Sequence, residues 1–268
     1  MTKVKSRVVK LDKTLLRGAI VSFIVPLLVM LTGFYLREIA PFGERTLCSM
    51  DGFSQYWPML QNMGEAIKDG EIMYSWNGAL GFNLFAQNAY YTNSPLWILI
   101  WILPQSLRIT GINLLAAFKL CFASVFFFLR LYFTHTEKKS YAKRLLFPCL
   151  SVAFGLSGYA LAFINQFMWT DVVMLLPLTV WGLELLFRKS RPTLYIVCLF
   201  LSLWSCFYLS YMVCIFAVLY FLYLTFTDGI SFNSFLKKGT LFALSSVFSA
   251  VRSAPLGMCI PTIPSPSR

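Results

Sequence analysis

Charged residues are scarce in this sequence: Asp, Glu, Lys and Arg make up 13% of its 268 residues. A soluble domain carries about 25% of such residues to cover its surface. Hydrophobic residues reach 58% and the mean hydropathy is +0.68, whereas disordered chains are poor in apolar residues. This composition excludes a water-soluble globule and a disordered chain, and it predicts a membrane protein with several spans.

Histidine is almost missing, since His135 is the single one. A His-rich metal site and a Ser-His-Asp triad therefore have little support. The seven cysteines include no CxxC pair, and the sequence has no Walker, GxGxxG or HExxH motif, so neither a disulfide framework nor nucleotide chemistry is indicated. The net charge of +12 comes from short basic runs between apolar stretches, which act as orientation signals and predict no nucleic-acid partner.

Apolar stretches of about 20 residues, the length that crosses a bilayer core as a helix, divide the chain. Residues 1–17 form a basic N-terminus and residues 18–36 the first transmembrane helix. Residues 109–250 contain the further transmembrane helices. One stretch there, 193–227, has 35 uncharged residues, too many for one span, so we expect a break near residues 208–211. Another span is expected to begin at residue 239.

The basic clusters fix the predicted orientation. If they lie on the cytoplasmic side, the N-terminus is cytoplasmic and residues 37–108 form an extracytoplasmic loop. The ten residues 95–104 are too short to cross and are expected to be re-entrant or interfacial. Residues 251–268 contain closely spaced prolines, which cannot continue a helix. A truncated or frame-shifted end and a short disordered tail are both open.

The extracytoplasmic loop is long and carries Trp and Tyr beside Asn, Gln and Asp, so we expect it to fold against the membrane surface. Asp51, beside the permissive Gly52, is the first candidate. Its carboxylate can take a proton from an acceptor hydroxyl or ligate a divalent cation. The alternative is a solvated loop carboxylate such as Glu65 or Asp69.

Other candidates also have two interpretations. The loop aromatics stack on sugar rings or belong to the aromatic belt of the membrane interface. Asp171 is a functional acid between two spans or the N-terminal cap of the helix that follows. For Lys119, Arg130 and Glu184, snorkelling from span ends to the interface is an adequate explanation.

Several short motifs occur together in one order, and with them the sequence resembles the YfhO family of bacterial polytopic membrane proteins, which belongs with the GT-C type integral-membrane glycosyltransferases. The resemblance extends over about residues 15–250. The motif residues include Asp51, Gln55, Tyr56, Trp76, Asn77, Tyr90, Tyr91, Ser94, Asn165, Trp169 and Asp171.

The resemblance implies an all-α, GT-C-like transmembrane bundle in the cell membrane. Its activity would move a sugar from a polyprenyl-phosphate donor, with inversion, to a cell-envelope polymer such as lipoteichoic or wall teichoic acid on the outer face. Asp51 would be the catalytic base. The implied partners are membrane lipid, the lipid-linked sugar and the acceptor polymer, and a divalent cation is left open. The implied substrate contacts are Gln55, Tyr56, Trp76, Asn77, Tyr90, Tyr91, Asn165, Trp169 and Asp171.

Two alternatives to the transferase remain open. Many spans and the intramembrane Lys119 also suit a transporter or flippase of a lipid-linked intermediate. The sequence resembles only the N-terminal part of the longer family members, so an inactive truncated fragment is the other alternative.

Overall fold

The computed structural model describes residues 13–76, 81–84, 91–134 and 141–253, without the side chains of 141–144. The described residues contain helices and two isolated bridges but no strand. This confirms the predicted all-α, multi-span bundle. The long helices are α1 (Lys13–Leu36), α2 (Trp57–Asp69), α3 (Arg108–Thr134), α4 (Tyr141–Gly155), α5 (Phe167–Lys189), α6 (Thr193–Ser205), α7 (Phe207–Thr227) and α8 (Phe232–Ser253). Shorter helical segments are Gly52–Tyr56, Pro95–Trp97, Ile98–Trp101, Gln105–Leu107 and Gly158–Ala162.

Five helical segments of the described chain are long and apolar enough to cross a membrane, which supports a multi-pass membrane protein. They are Lys13–Leu36, Gln105–Thr134, Leu145–Ala162, Phe167–Lys189 and Phe207–Thr227. Within the described residues, the first helix covers Lys13–Leu36 and therefore includes residues before the predicted residue 18. Helix α8 begins at Phe232 and is not among the five; it carries Lys237, Lys238 and Arg252.

Helices α6 and α7 form a hairpin that breaks at Cys206, where the backbone is extended (φ −158°, ψ 100°). The break lies just before the predicted 208–211, since α7 is already helical at Phe207. Cys206 is buried among side chains of the 37–108 loop and of α5. The non-helical backbone at Cys206 is therefore surrounded by protein, as is required of non-helical backbone within a membrane.

An ion pair between α3 and α5 shows that snorkelling is the wrong explanation for Arg130 and Glu184. Arg130 Nη2 lies 2.6 Å from Glu184 Oε1, and the Tyr220 hydroxyl donates to the same oxygen at 2.6 Å. Glu184 is buried and Arg130 half-buried. Arg130 of α3, Glu184 of α5 and Tyr220 of α7 meet because the three helices pack with these side chains facing one another.

Helices α5 and α6 pack closely at Gly182. A Cβ atom at this position would collide with the backbone nitrogen and Cα of Tyr195. Glycine thus permits the two backbones to touch, as small residues do between membrane helices.

Gly182→Ala is expected to destabilise the protein by about 1–3 kcal/mol, because α6 must move away to make room for the methyl group. Thermal unfolding in detergent, followed by size-exclusion chromatography of the heated protein, measures the loss. Gly33→Ala is the matched control, since a Cβ at Gly33 in α1 meets nothing within 4 Å. Equal melting temperatures for the two variants would contradict the close contact.

The loop between α1 and α3 packs on one end of the bundle, which we call the loop end. Its Trp97 and Ile100 are buried in a cluster with Phe167 of α5 and Val213 of α7. The Trp101 indole donates to the Leu60 carbonyl at 3.0 Å. Residues 95–104 are thus short helical turns held against the protein, with apolar side chains exposed on their other side.

Candidate functional site

The candidate site lies at the loop end, where Asn113 of α3 fixes the chain that leads to Asp51. Asn113 is completely buried. Its Oδ1 accepts from Thr46 Oγ1 and from the Leu47 backbone N–H, both at 3.0 Å, and its Nδ2 donates to the Ala40 carbonyl at 3.2 Å. One amide thereby satisfies three polar groups of the loop.

Asp51 is half-buried and begins the helical turn Gly52–Tyr56. Gln55 Nε2 donates to Asp51 Oδ1 at 3.3 Å, so the two predicted residues meet across one turn. A Cβ at Gly52 would lie 3.1 Å from Cys48 Cβ. The glycine therefore serves close packing beside Asp51, and the carboxylate keeps a partly open position.

Lys119 and Asp171 form a buried ion pair beneath this loop, with Nζ and Oδ1 3.0 Å apart and both side chains 2% exposed. Lys119 Nζ also donates to the Phe167 carbonyl at 3.0 Å and lies 5.3 Å from the centre of the Trp97 ring. Snorkelling is thus wrong for Lys119. The capping interpretation of Asp171 is wrong as well, because it is the fifth residue of α5, whose N-cap is Gln166.

Two of the predicted aromatic contacts are packed inside the protein. The Tyr56 ring lies edge-on against Tyr91 at 4.6 Å and against Phe167 at 5.3 Å. The Tyr56 hydroxyl donates to Gln166 Oε1 at 3.4 Å, and burial raises the pKa of Tyr56, which keeps it a donor. Tyr56 joins the loop to α5, and Tyr91 packs against Tyr56.

Other predicted contacts lie nearer to solvent. Trp76 is 76% exposed and its ring lies edge-on to Tyr74 at 5.0 Å. Asn165 is half-buried, and its Nδ2 donates to Ser49 Oγ at 3.5 Å. Trp169 stacks at 6.3 Å on Tyr208 of α7. The structure thus brings Asn165 close to the Asp51 segment, whereas Asn77 and Tyr90 lie outside the described residues.

A family model described as "Bacterial membrane protein YfhO" matches residues 22–264. The chain belongs to the YfhO family. The match includes the loop, Asp51 and both ion pairs, so the whole candidate site lies within the YfhO-family region.

One YfhO relative, from Bacillus subtilis strain 168, carries the description "Uncharacterized protein YfhO". It is 27% identical over 207 residues, which are 73% of this chain and 24% of the relative. The chain thus spans about a quarter of that relative's length. No solved structure matches the chain.

Among the residues that the structure describes, no group of three or more His, Cys, Asp or Glu side chains lies close enough to hold a metal ion. The organised features of this YfhO-family site are instead the Asp51–Gln55 contact and the buried Lys119–Asp171 pair. Sequence reasoning missed the role of Asn113 and the partner of Lys119. The available signal was a lone polar residue inside an otherwise apolar stretch.

Asn113→Leu is expected to loosen the loop and to destabilise the protein by about 1–3 kcal/mol, because the half-buried Thr46 and Leu47 donors lose their acceptor. Limited proteolysis of the purified protein, with cleavage sites located between residues 37 and 56, reports loop release. Gly33→Ala is the control: a Cβ at this position meets nothing within 4 Å, so its cleavage pattern should match that of the wild type. If Asn113→Leu were cleaved like the wild-type protein, the result would contradict the anchoring role of Asn113.

Proposed function

We propose that this chain is a membrane glycosyltransferase, or the N-terminal part of one, that moves a sugar from a polyprenyl-phosphate donor to a cell-envelope polymer such as lipoteichoic or wall teichoic acid. The observation that carries the proposal is the partly open Asp51 carboxylate on a loop that Asn113 anchors to the bundle. The family resemblance supplies the reaction class. The site contributes a fixed carboxylate at the membrane surface, where a lipid-borne donor arrives.

In the proposed reaction, Asp51 takes the proton from a hydroxyl of the acceptor polymer, and the oxygen of that hydroxyl attacks the anomeric carbon of the sugar. The bond between this carbon and the phosphate oxygen breaks, and the lipid phosphate leaves with the electron pair. The sugar carbon is inverted because attack and departure occur on opposite faces. Gln55, which holds Asp51 Oδ1 at 3.3 Å, orients the carboxylate.

The transporter alternative has less support than the sequence suggested. Its motivation was the unexplained Lys119, and this side chain is 2% exposed and paired with Asp171. The countercharge of Asp171 accounts for the buried Lys119 without a transported ion or headgroup. The transferase therefore remains the proposal.

The test is a transfer assay with the full-length protein in vesicles of phosphatidylethanolamine and phosphatidylglycerol. The probes are polyprenyl-phosphate donors carrying a labelled hexose or N-acetylhexosamine, with polyglycerol phosphate and polyribitol phosphate as acceptors. We expect label on an acceptor and an equal amount of released lipid phosphate. Label that crosses the bilayer while still attached to its lipid would reject the transferase and support a flippase.

The proposed orientation places the loop end outside the cell and the N-terminus in the cytoplasm. It is supported by basic residues at the other end of the bundle, including Arg188, Lys189 and Arg191. Met50, which is 86% exposed beside Asp51, offers a labelling position.

In intact cells, Met50→Cys is expected to react with a membrane-impermeant maleimide, since this position lies at the loop end. Ser231→Cys, at the opposite end of the bundle, should react only after the cells are permeabilised. Mass spectrometry of the purified protein locates the label. Labelling of Ser231→Cys but not Met50→Cys in intact cells would place Asp51 in the cytosol and reject the proposed reaction.

A further inference from the structure

The Arg130, Glu184 and Tyr220 cluster lies at the end of the bundle opposite the loop, far from the proposed reaction. The contacts inside the cluster use one nitrogen of Arg130 and one oxygen of Glu184. Arg130 Nη2 donates to Glu184 Oε1 and, at 3.3 Å, to the Tyr220 hydroxyl. Arg130 Nε and Glu184 Oε2 are buried and have no hydrogen-bond partner among the described residues. A guanidinium has five N–H donors, so the cluster retains unused donor capacity.

A cavity of about 280 Å³ adjoins this cluster between α3, α4, α5 and α7. Arg130 and Tyr220 contribute its polar lining, whereas Phe127, Phe154 and Phe216 are among its apolar walls. Phe127 and Phe154 stack with their ring centres 4.7 Å apart.

The cavity extends along α5 from Leu176 and Pro177 to Val180, one turn before Glu184. At a rise of 1.5 Å per residue, this segment leads toward the middle of the bilayer over roughly 6 Å. The cavity thus has an apolar body and one polar end with the Arg130 guanidinium, an arrangement that matches a lipid with its phosphate at the membrane surface.

We infer that this cavity binds one acyl chain of an anionic phospholipid, whose phosphate contacts Arg130. The helices around it are of membrane-crossing length and apolarity, so lipid hydrocarbon surrounds them. A guanidinium is well suited to phosphate because it is planar and weakly hydrated. Arg188 and Lys189 lie at the same end of the bundle, and their charge draws anionic lipid to that surface.

Glu184 has a defined part in this site. By accepting from Arg130 and Tyr220 on one oxygen, it fixes the guanidinium at the edge of the cavity. It also cancels the charge of Arg130 when no lipid is bound, which lowers the cost of burying the guanidinium. The lipid phosphate then takes up the donors that Glu184 leaves unused. This inference does not depend on the proposed transferase activity.

The experiment is native mass spectrometry of the purified full chain after exposure to equal amounts of phosphatidylglycerol and phosphatidylcholine with identical acyl chains. Wild-type protein should retain one phosphatidylglycerol about tenfold more often than phosphatidylcholine, because the choline cation offsets the phosphate charge of phosphatidylcholine beside Arg130, whereas phosphatidylglycerol keeps a net negative charge. No retained lipid, or equal retention of both lipids, would overturn the inference.

Two variants separate the headgroup contact from the cavity. The double variant Arg130→Gln, Glu184→Gln leaves no unpaired buried charge and should abolish the preference for phosphatidylglycerol. Val180→Phe fills the cavity while Arg130 stays in place, and it should lose both lipids.

The matched control is Arg45→Gln, which removes an exposed arginine of the loop at the opposite end of the bundle. It should keep the wild-type preference. An unchanged preference in the double variant, or unchanged retention in Val180→Phe, would overturn the site. If the double variant fails to fold, Val180→Phe still decides whether the cavity holds the lipid.

Discussion

Lys119→Met is expected to lower the free energy of unfolding by about 3–5 kcal/mol, because it leaves the Asp171 carboxylate buried without its countercharge. Asp171→Asn should cause a comparable loss by leaving the Lys119 ammonium unpaired. The Phe167 carbonyl also loses a donor in the first variant. The measurement is the fraction of protein that stays folded after heating in detergent, monitored by size-exclusion chromatography.

The double variant Lys119→Met, Asp171→Asn should recover most of this loss, since no buried charge remains. Replacing a buried pair as a whole is commonly close to neutral, whereas breaking it is costly. Arg188→Met, which removes one member of an exposed pair, is the control and should cost at most about 1 kcal/mol. If the double variant were as unstable as the single ones, the damage would come from packing and the ion pair would not account for it.

Asp51→Asn is expected to slow sugar transfer by the full-length protein by about 10²- to 10⁴-fold, the range for removal of a general base. Asparagine still accepts from Gln55, so the local geometry is retained while the ability to take a proton is lost. The rate of lipid phosphate release from labelled donor measures the effect, and the KM for the donor should change little.

Glu65→Gln is the control for Asp51, because it neutralises an exposed carboxylate on α2 of the same loop. It should transfer sugar at the wild-type rate. Normal transfer by Asp51→Asn, with equal amounts of folded protein, would reject Asp51 as the base. A slow Glu65→Gln would show instead that the loop charge as a whole sets the rate.

The spans were predictable because hydropathy depends on each segment by itself. Residues 18–36 were predicted as the first helix, and α1 covers Lys13–Leu36. The length of the 193–227 stretch required a break. Its place at Cys206 is set by where the loop and α5 cover the backbone, which the sequence alone does not show.

The contacts between the residues of the site were less predictable than the residues themselves. Asp171 and Asn165 were recognised as candidates, but the ion pair with Lys119 joins different helices. The residues of one apolar stretch do not reveal which face meets a second stretch. Snorkelling was therefore the natural explanation for Lys119, and only the packing of α3 against α5 shows that its nitrogen points inward.

The aromatic residues of the loop show the same difference between predicting a residue and predicting its contacts. The composition of residues 37–108 predicted a folded loop, and the described part of it does pack on the bundle. It did not reveal that Tyr56 and Tyr91 cover one another while Trp76 stays exposed. Which ring is covered depends on the position of Phe167 in α5, far away in the sequence.

We expect the short helix α6 to deform the surrounding bilayer. Its 13 residues rise about 20 Å, roughly 10 Å less than the usual hydrocarbon thickness. Hydrophobic mismatch of this kind is relieved by local thinning of the bilayer. We therefore expect the leaflet at the loop end to be locally thinner beside the α6–α7 hairpin. Lipid headgroups there should lie closer to the level of Asp171 than elsewhere in the membrane.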